Sequence, residues 1–157
     1  MSTPTPMASP LPGTLPPAVS LENGRYGRVV VARIKPNEDL VGALEQLCVA
    51  YRMPRAVVRG VLGSLIEGCL SYHGPHGLQQ RKVAGPGVEI LNVFGEVFAP
   101  PHEGDEAHDP GAARTTQLNA VISGTDGAVY AGRLVRGANL AFITIEASLQ
   151  EWIVADA

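Results

Sequence analysis

Arg59 is a charge set among β-branched neighbours. It interrupts Val57-Val58 and Val61-Leu62 in a run whose composition predicts a buried strand. A guanidinium placed there needs an internal carboxylate or a bound anion, because an unpaired buried charge is costly. A second group stands further along the chain. Gln117 and Asn119 are two residues apart in a predicted strand and so share one face, and Arg133 lies on the strand that returns from the next turn. Glu67, Glu89 and Glu146 are the carboxylates that predicted strands offer as counter-charges. If the protein is catalytic, Glu89 or Glu146 is the candidate general base, with Arg133 stabilising developing negative charge.

Other clusters carry less. The loop His102-Glu103-Gly104-Asp105-Glu106-Ala107-His108-Asp109 has metal-ligand residue types, but its spacing matches no rigid motif, and a solvated acidic loop is the expectation. His73 and His76 sit in Gly- and Pro-rich sequence and are expected at the surface. Cys48 and Cys69 lie inside apolar stretches without CxxC spacing, which predicts buried, reduced thiols. There is no nucleophile elbow, phosphate loop or dinucleotide fingerprint, and Gly85-Pro86-Gly87 reads as a turn.

The elements that must position these residues are legible in the hydrophobic pattern. The chain has 157 residues and 45% hydrophobic content, enough for one core. Residues 1–24 are rich in Pro, Ser and Thr and are expected to form a disordered arm ahead of a single domain over 25–157. A strand is predicted over 28–34. Leu40, Leu44, Leu47, Cys48 and Tyr51 then fall at helical spacing, with Asn37 or Asp39 as the cap and Pro54 as the stop. From Arg55 onward strands dominate: 55–62 and 65–72 with a kink at Gly63-Ser64, a polar loop over 73–79, and a short edge segment over 80–83. Three further strands follow, over 88–98, 115–123 and 128–135, the last two joined by an Asp126-Gly127 turn. A final strand covers 139–149. Many strands with short turns and one early helix predict an α+β fold, mostly antiparallel sheet. No stretch is long enough to span a bilayer and no secretory signal opens the chain, so a cytoplasmic protein is expected.

Several ordered stretches together resemble the plants-and-prokaryotes conserved (PPC) domain, in the stand-alone form found in bacteria. Arg33-Ile34-Lys35-Pro36-Asn37-Glu38-Asp39-Leu40 is similar to its strand-to-helix opening, and Gly63-Ser64-Leu65-Ile66-Glu67-Gly68-Cys69-Leu70 to its next element. Glu89-Ile90-Leu91 through Gly95 is similar to its core strand. Asp126-Gly127, Ala131-Gly132-Arg133-Leu134 and Glu146 match its closing hairpin and last strand. The resemblance implies a compact antiparallel sheet with a flanking helix, assembled as a homotrimer. It also implies a metal site, since many bacterial members carry two histidines before the hairpin and a third after it. Those positions hold Gln117, Asn119 and Arg133 here. Carboxamides are poor Zn²⁺ ligands and a guanidinium is none, so no metal and no other cofactor is expected.

The reading that follows is a pocket changed from metal-binding to anion-binding: a small carboxylate or phosphate held by Arg59 and Arg133 and oriented by Gln117 and Asn119. The alternative is a structural salt bridge from Arg133 to Glu146 or Glu89. DNA is not expected as the main partner, because the net charge is -3 and the arginines are dispersed. Gly24-Arg25-Tyr26-Gly27-Arg28 echoes the AT-hook of plant relatives without its proline. A DNA-associated or regulatory interaction module remains the second reading, on fold analogy alone.

Overall fold

The computed structural model describes residue 18 and residues 20–100 and 115–155. The chain forms β1 (Gly24–Ile34), α1 (Leu40–Ala50), β2 (Arg55–Leu65), β3 (Gly68–Gly74), β4 (Gly77–Val83), β5 (Val88–Phe98), β6 (Gln117–Ser123), β7 (Val129–Leu134) and β8 (Ala141–Val154). The strands pair antiparallel in one eight-stranded sheet of order β1-β8-β2-β5-β6-β7-β3-β4.

Helix α1 starts where Asp39 accepts a hydrogen bond from the Gly42 N–H at 2.8 Å, satisfying one of the free donors of the first turn. Leu40, Val41, Leu44 and Cys48 face the sheet and are buried. The helix ends at Ala50, and Arg52 takes a left-handed φ of 51° ahead of Pro54. Beneath the helix, strand alternation delivers a continuous apolar layer: Ala56, Val58, Val61 and Leu65 from β2, Val88, Ile90, Val93 and Val97 from β5, Leu118, Ala120 and Ile122 from β6, and Ile145, Ala147 and Leu149 from β8. These spacings are not all even. The register shifts between Val58 and Gly60, and again between Ile90 and Asn92, so a bulge restores the phase that puts Val61 and Val93 back in the core.

That bulge corrects the reading of Arg59. The residue sits at the extra position, exposed on the outer face, and is not buried at all. Other boundaries move too. Gly63 and Ser64 lie inside β2, where Gly63 has φ 139° against the Thr144 carbonyl. The strand is interrupted instead at Ile66 and Glu67. The polar loop is a tight hairpin in which β3 and β4 pair up to Gly74 and Gly77. Strand β8 runs on to Val154, five residues past the expected end, because β1 continues to pair with it.

Buried polar groups are placed where they tie elements together. Asn139, fully buried, accepts from the Cys69 N–H at 2.9 Å and donates to the Cys69 and Val135 carbonyls at 3.0 and 2.8 Å. Its own N–H donates to Asp39, so one amide joins β3, the β7–β8 turn and the helix cap. Glu45 on α1 accepts from Arg136 at 2.8 Å. Both cysteines are buried and unpaired, and burial, helped by the nearby charges of Glu45 and Glu151, pushes the Cys48 thiol up to about 11.

Glu151 is the core-facing carboxylate of β8. Its oxygens accept from Arg28 Nε at 2.9 Å and Nη2 at 3.0 Å, and these hydrogen bonds hold it below the ordinary carboxylate range despite the opposing effect of burial. A lowered folded-state value contributes stability above the unfolded carboxylate range, and that stability is lost as pH falls through the folded value. Arg28→Ala therefore destabilises the protein most at neutral pH. Urea melts of both proteins should show the gap narrowing on acidification toward about pH 3.

Candidate functional site

Opposite the helix, the sheet presents an outer face on which β2, β5, β6 and β7 bring their polar residues together. The ladder sets the rows. Glu96 on β5 stands beside Val57 on β2 and Gln117 on β6, while Asn119 on β6 stands between Phe94 and Arg133. Strands β5 and β6 approach unusually closely at Gly95, whose φ is 138° and where an added Cβ would lie 2.0 Å from the Gln117 carbonyl oxygen. Only glycine fits that contact. Thr116 secures the end of β6, its Oγ1 accepting from the Phe98 N–H at 3.1 Å.

On this frame Gln117, Asn119 and Arg133 converge as the spacing suggested. Arg133 Nη2 donates to Gln117 Oε1 at 3.1 Å, and Arg133 and Asn119 are direct cross-strand partners. Gln117 and Asn119 line a cleft of about 500 Å³ together with Thr115, Gly95, Glu96, Phe98 and Arg55.

Arg55 closes the other side. It is half-buried at the start of β2, pairs with Phe98 across the ladder, and donates from Nη2 to Glu96 Oε1 at 2.5 Å. Its Nη1 pairs with Glu22. The guanidinium lies 5.5 Å from the Phe98 ring centre and 5.9 Å from that of Trp152, so rings and carboxylates enclose it. Burial works to lower the Arg55 pKa, but the hydrogen bonds and charges of Glu96 and Glu22 outweigh it and the value is raised. The cation stays charged, and its Nε is buried with no hydrogen-bond partner among the described residues.

The remaining candidates lie elsewhere. Arg59 stacks on the Tyr26 ring at 4.7 Å and donates to Gln150 at 2.8 Å, with β5 and β6 between its strand and that of Arg133. Glu146 pairs with Arg33 and is exposed. Glu89 sits beside Ser64 and Ser123, seven residues along β5 from Glu96, or about 23 Å at strand rise. Neither carboxylate reaches the cleft, and Arg133 bonds to Gln117 instead of either. Glu67 lines a separate cleft with Cys69 and Lys82. The residues the sequence reading missed are Arg55 and Glu96. Their signal was present: Phe94, Glu96 and Phe98 alternate against core-facing Val93 and Val97, which puts Glu96 on the face of Gln117.

The donor set does not suit a metal. Gln117 already accepts from Arg133, Asn119 is a carboxamide, and Arg133 brings positive charge to the spot. Among the described residues no three His, Cys, Asp or Glu side chains gather in one place. The His102 to Asp109 loop lies outside the described residues.

The Plants and Prokaryotes Conserved (PCC) domain matches residues 21–153. Solved structures share the fold. A plant- and prokaryote-conserved protein of Pyrococcus horikoshii superposes with a TM-score of 0.68 at 17% identity, covering 88% of this chain and 87% of its own. A metal-containing protein of Archaeoglobus fulgidus gives 0.67 at 18% identity, covering 87% of each chain. A Bacteroides thetaiotaomicron protein, provisionally named as DNA-binding, gives 0.60 at 15% identity, covering 82% of this chain and 83% of its own. No curated protein matches by sequence.

The close approach at Gly95 has a measurable consequence. Gly95→Ala forces the β5–β6 pair apart at Gln117 and should cost at least about 2 kcal/mol in chemical denaturation. A loss under about 0.5 kcal/mol would show that the two strands tolerate a wider spacing.

Proposed function

The chain belongs to the Plants and Prokaryotes Conserved (PCC) domain family, and from that premise we propose that it binds a small carboxylate- or phosphate-bearing ligand in the cleft between Arg55 and Arg133. The observation that carries this reading is the exchange at three positions. Where the resemblance calls for metal-ligating histidines, Gln117 and Asn119 line the cleft and Arg133 bonds to Gln117 at its rim. Carboxamide N–H groups and a guanidinium donate to oxyanions, and Arg55 supplies a second positive charge across the cleft. Glu96 is the one carboxylate among the described residues that line it, so a reaction needing a base in this cleft would draw on Glu96 rather than on Glu89 or Glu146.

The same reading makes the functional unit a homotrimer of the single domain over 25–157, in a reducing cytoplasmic setting that suits two unpaired thiols. Val29, Val31, Leu62 and Phe94 stand exposed on the outer face at 61%, 71%, 71% and 51%, an apolar excess that subunit contact would cover.

DNA association is the second reading. The acidic balance argued against it, but the provisional name of the Bacteroides thetaiotaomicron relative gives that exclusion no support. Binding through phosphates would show a steep loss with salt.

Thermal-shift titration with organic acids and inorganic phosphate decides between the readings. An anion should stabilise the native protein and leave Arg133→Ala unmoved. Equal stabilisation of both, or none of either, removes the cleft as the site, and salt-sensitive retention of duplex DNA would then favour the second reading. Analytical ultracentrifugation should give three times the chain mass of 16.5 kDa, and a monomer at micromolar concentration would refute the trimer.

A further inference from the structure

Resting on the anion-binding reading above, we propose that Arg55 recognises a carboxylate in the cleft and that Glu22 is its built-in competitor. Glu22 Oε1 pairs with Arg55 Nη1 and accepts from Trp152 Nε1 at 3.0 Å. A guanidinium and an indole N–H converging on one carboxylate oxygen, beside the Phe98 and Trp152 rings, form a receptor for that group. The chain fills it with a residue of its own.

The two acids on Arg55 are not held alike. Glu96 is fixed within β5, flanked on both sides by ladder partners Val57 and Gln117. Glu22 precedes β1, beside Asn23, whose carbonyl accepts from the Ala155 N–H at 2.9 Å at the end of the sheet. The main chain that carries Glu22 can therefore shift without breaking a central strand pair, and the main chain that carries Glu96 cannot. Arg55 itself lines the cleft, so an incoming oxyanion and Glu22 draw on the same guanidinium. Its buried Nε has no hydrogen-bond partner among the described residues, which leaves part of the guanidinium's donor capacity unused there. Glu96 offsets part of the positive charge at this end, which suits a carboxylate group, with its one charge, better than a phosphate group carrying two. The ligand class is thus a small organic carboxylate, and the residues before β1 tune its affinity.

Trp152 is the only tryptophan in the chain, and its fluorescence reports on the Glu22 contact directly. Full-length protein and Glu22→Gln are titrated with succinate, following Trp152 emission and heat of binding, with inorganic phosphate in parallel. Succinate should bind Glu22→Gln about ten-fold more tightly than the parent, the worth of one charge-assisted contact. It should bind both proteins more tightly than phosphate does, and Arg55→Lys should lose the response. Equal succinate affinity in parent and Glu22→Gln overturns the competition while leaving the anion site standing. Phosphate binding more tightly than succinate overturns the ligand class. Binding of neither ligand to either protein sinks the anion site and this inference with it. Should Glu22→Gln fail to fold by circular dichroism, Glu22→Asp replaces it, and an absence of tighter succinate binding there also counts against competition.

Discussion

The pleat of one antiparallel sheet leaves each strand residue two directions: toward α1 and the apolar layer, or away from both. Burying the inner side chains stabilises the fold by roughly 25 cal/mol for each Å² of apolar surface removed from water, so the inward pattern is not negotiable. Polar and charged strand residues must take what is left. That is why Gln117, Asn119, Arg133, Glu96 and Arg55 share one face, although they come from four strands. Bulges are the only freedom in this scheme. Each shifts the count by one residue and lets an even-spaced pattern resume, as at Val61 and Val93.

The cleft inherits its chemistry from that constraint. Gly95 of the close β5–β6 contact lines it together with Arg55 and the two carboxamides, and Arg133 reaches it through its bond to Gln117. Arg55 is the more constrained of the two cations, since two carboxylates and two rings hold it in place of water. Arg133 is exposed and anchored to a neutral partner, so its charge is less compensated. The arrangement is electropositive at one rim and balanced at the other. Guanidinium and carboxamide N–H groups are hydrogen-bond donors, a set that on the proposed reading suits an oxyanion better than a metal cation. On the proposed reading, the exchange of side chains at three positions alters the kind of ion the fold would hold without altering the fold, and a sheet scaffold allows this because its outer face contributes little to the core.

Period and composition alone determined a good deal. The 40–50 helix with a cap at Asn37 or Asp39, the 88–98 strand, the hairpin at Asp126-Gly127, the buried thiols and the nearness of Arg133 to Gln117 and Asn119 all follow from local spacing, and the structure selects Asp39 as the cap. These depend on hydrogen bonds or alternation within a few residues, or on a turn that dictates which strands pair. The family, too, was readable from ordered short motifs, and the match over residues 21–153 agrees with it.

What the tertiary structure decided is of another kind. The apolar neighbours of Arg59 predict burial, but a bulge that depends on pairing with β8 turns it outward onto Tyr26. Glu89 and Glu146 were equal to Glu96 by sequence, and only the strand order and register place Glu96 at the cleft. Glu22 lies 33 residues before Arg55, in a stretch with no apolar pattern, yet it meets Arg55 and Trp152 once β1, β8 and β2 lie side by side. Local spacing fixes the direction a side chain takes from its own strand. Which strands become neighbours, and how far each slides against the next, is settled by contacts far apart in the chain, and those choose which charges meet.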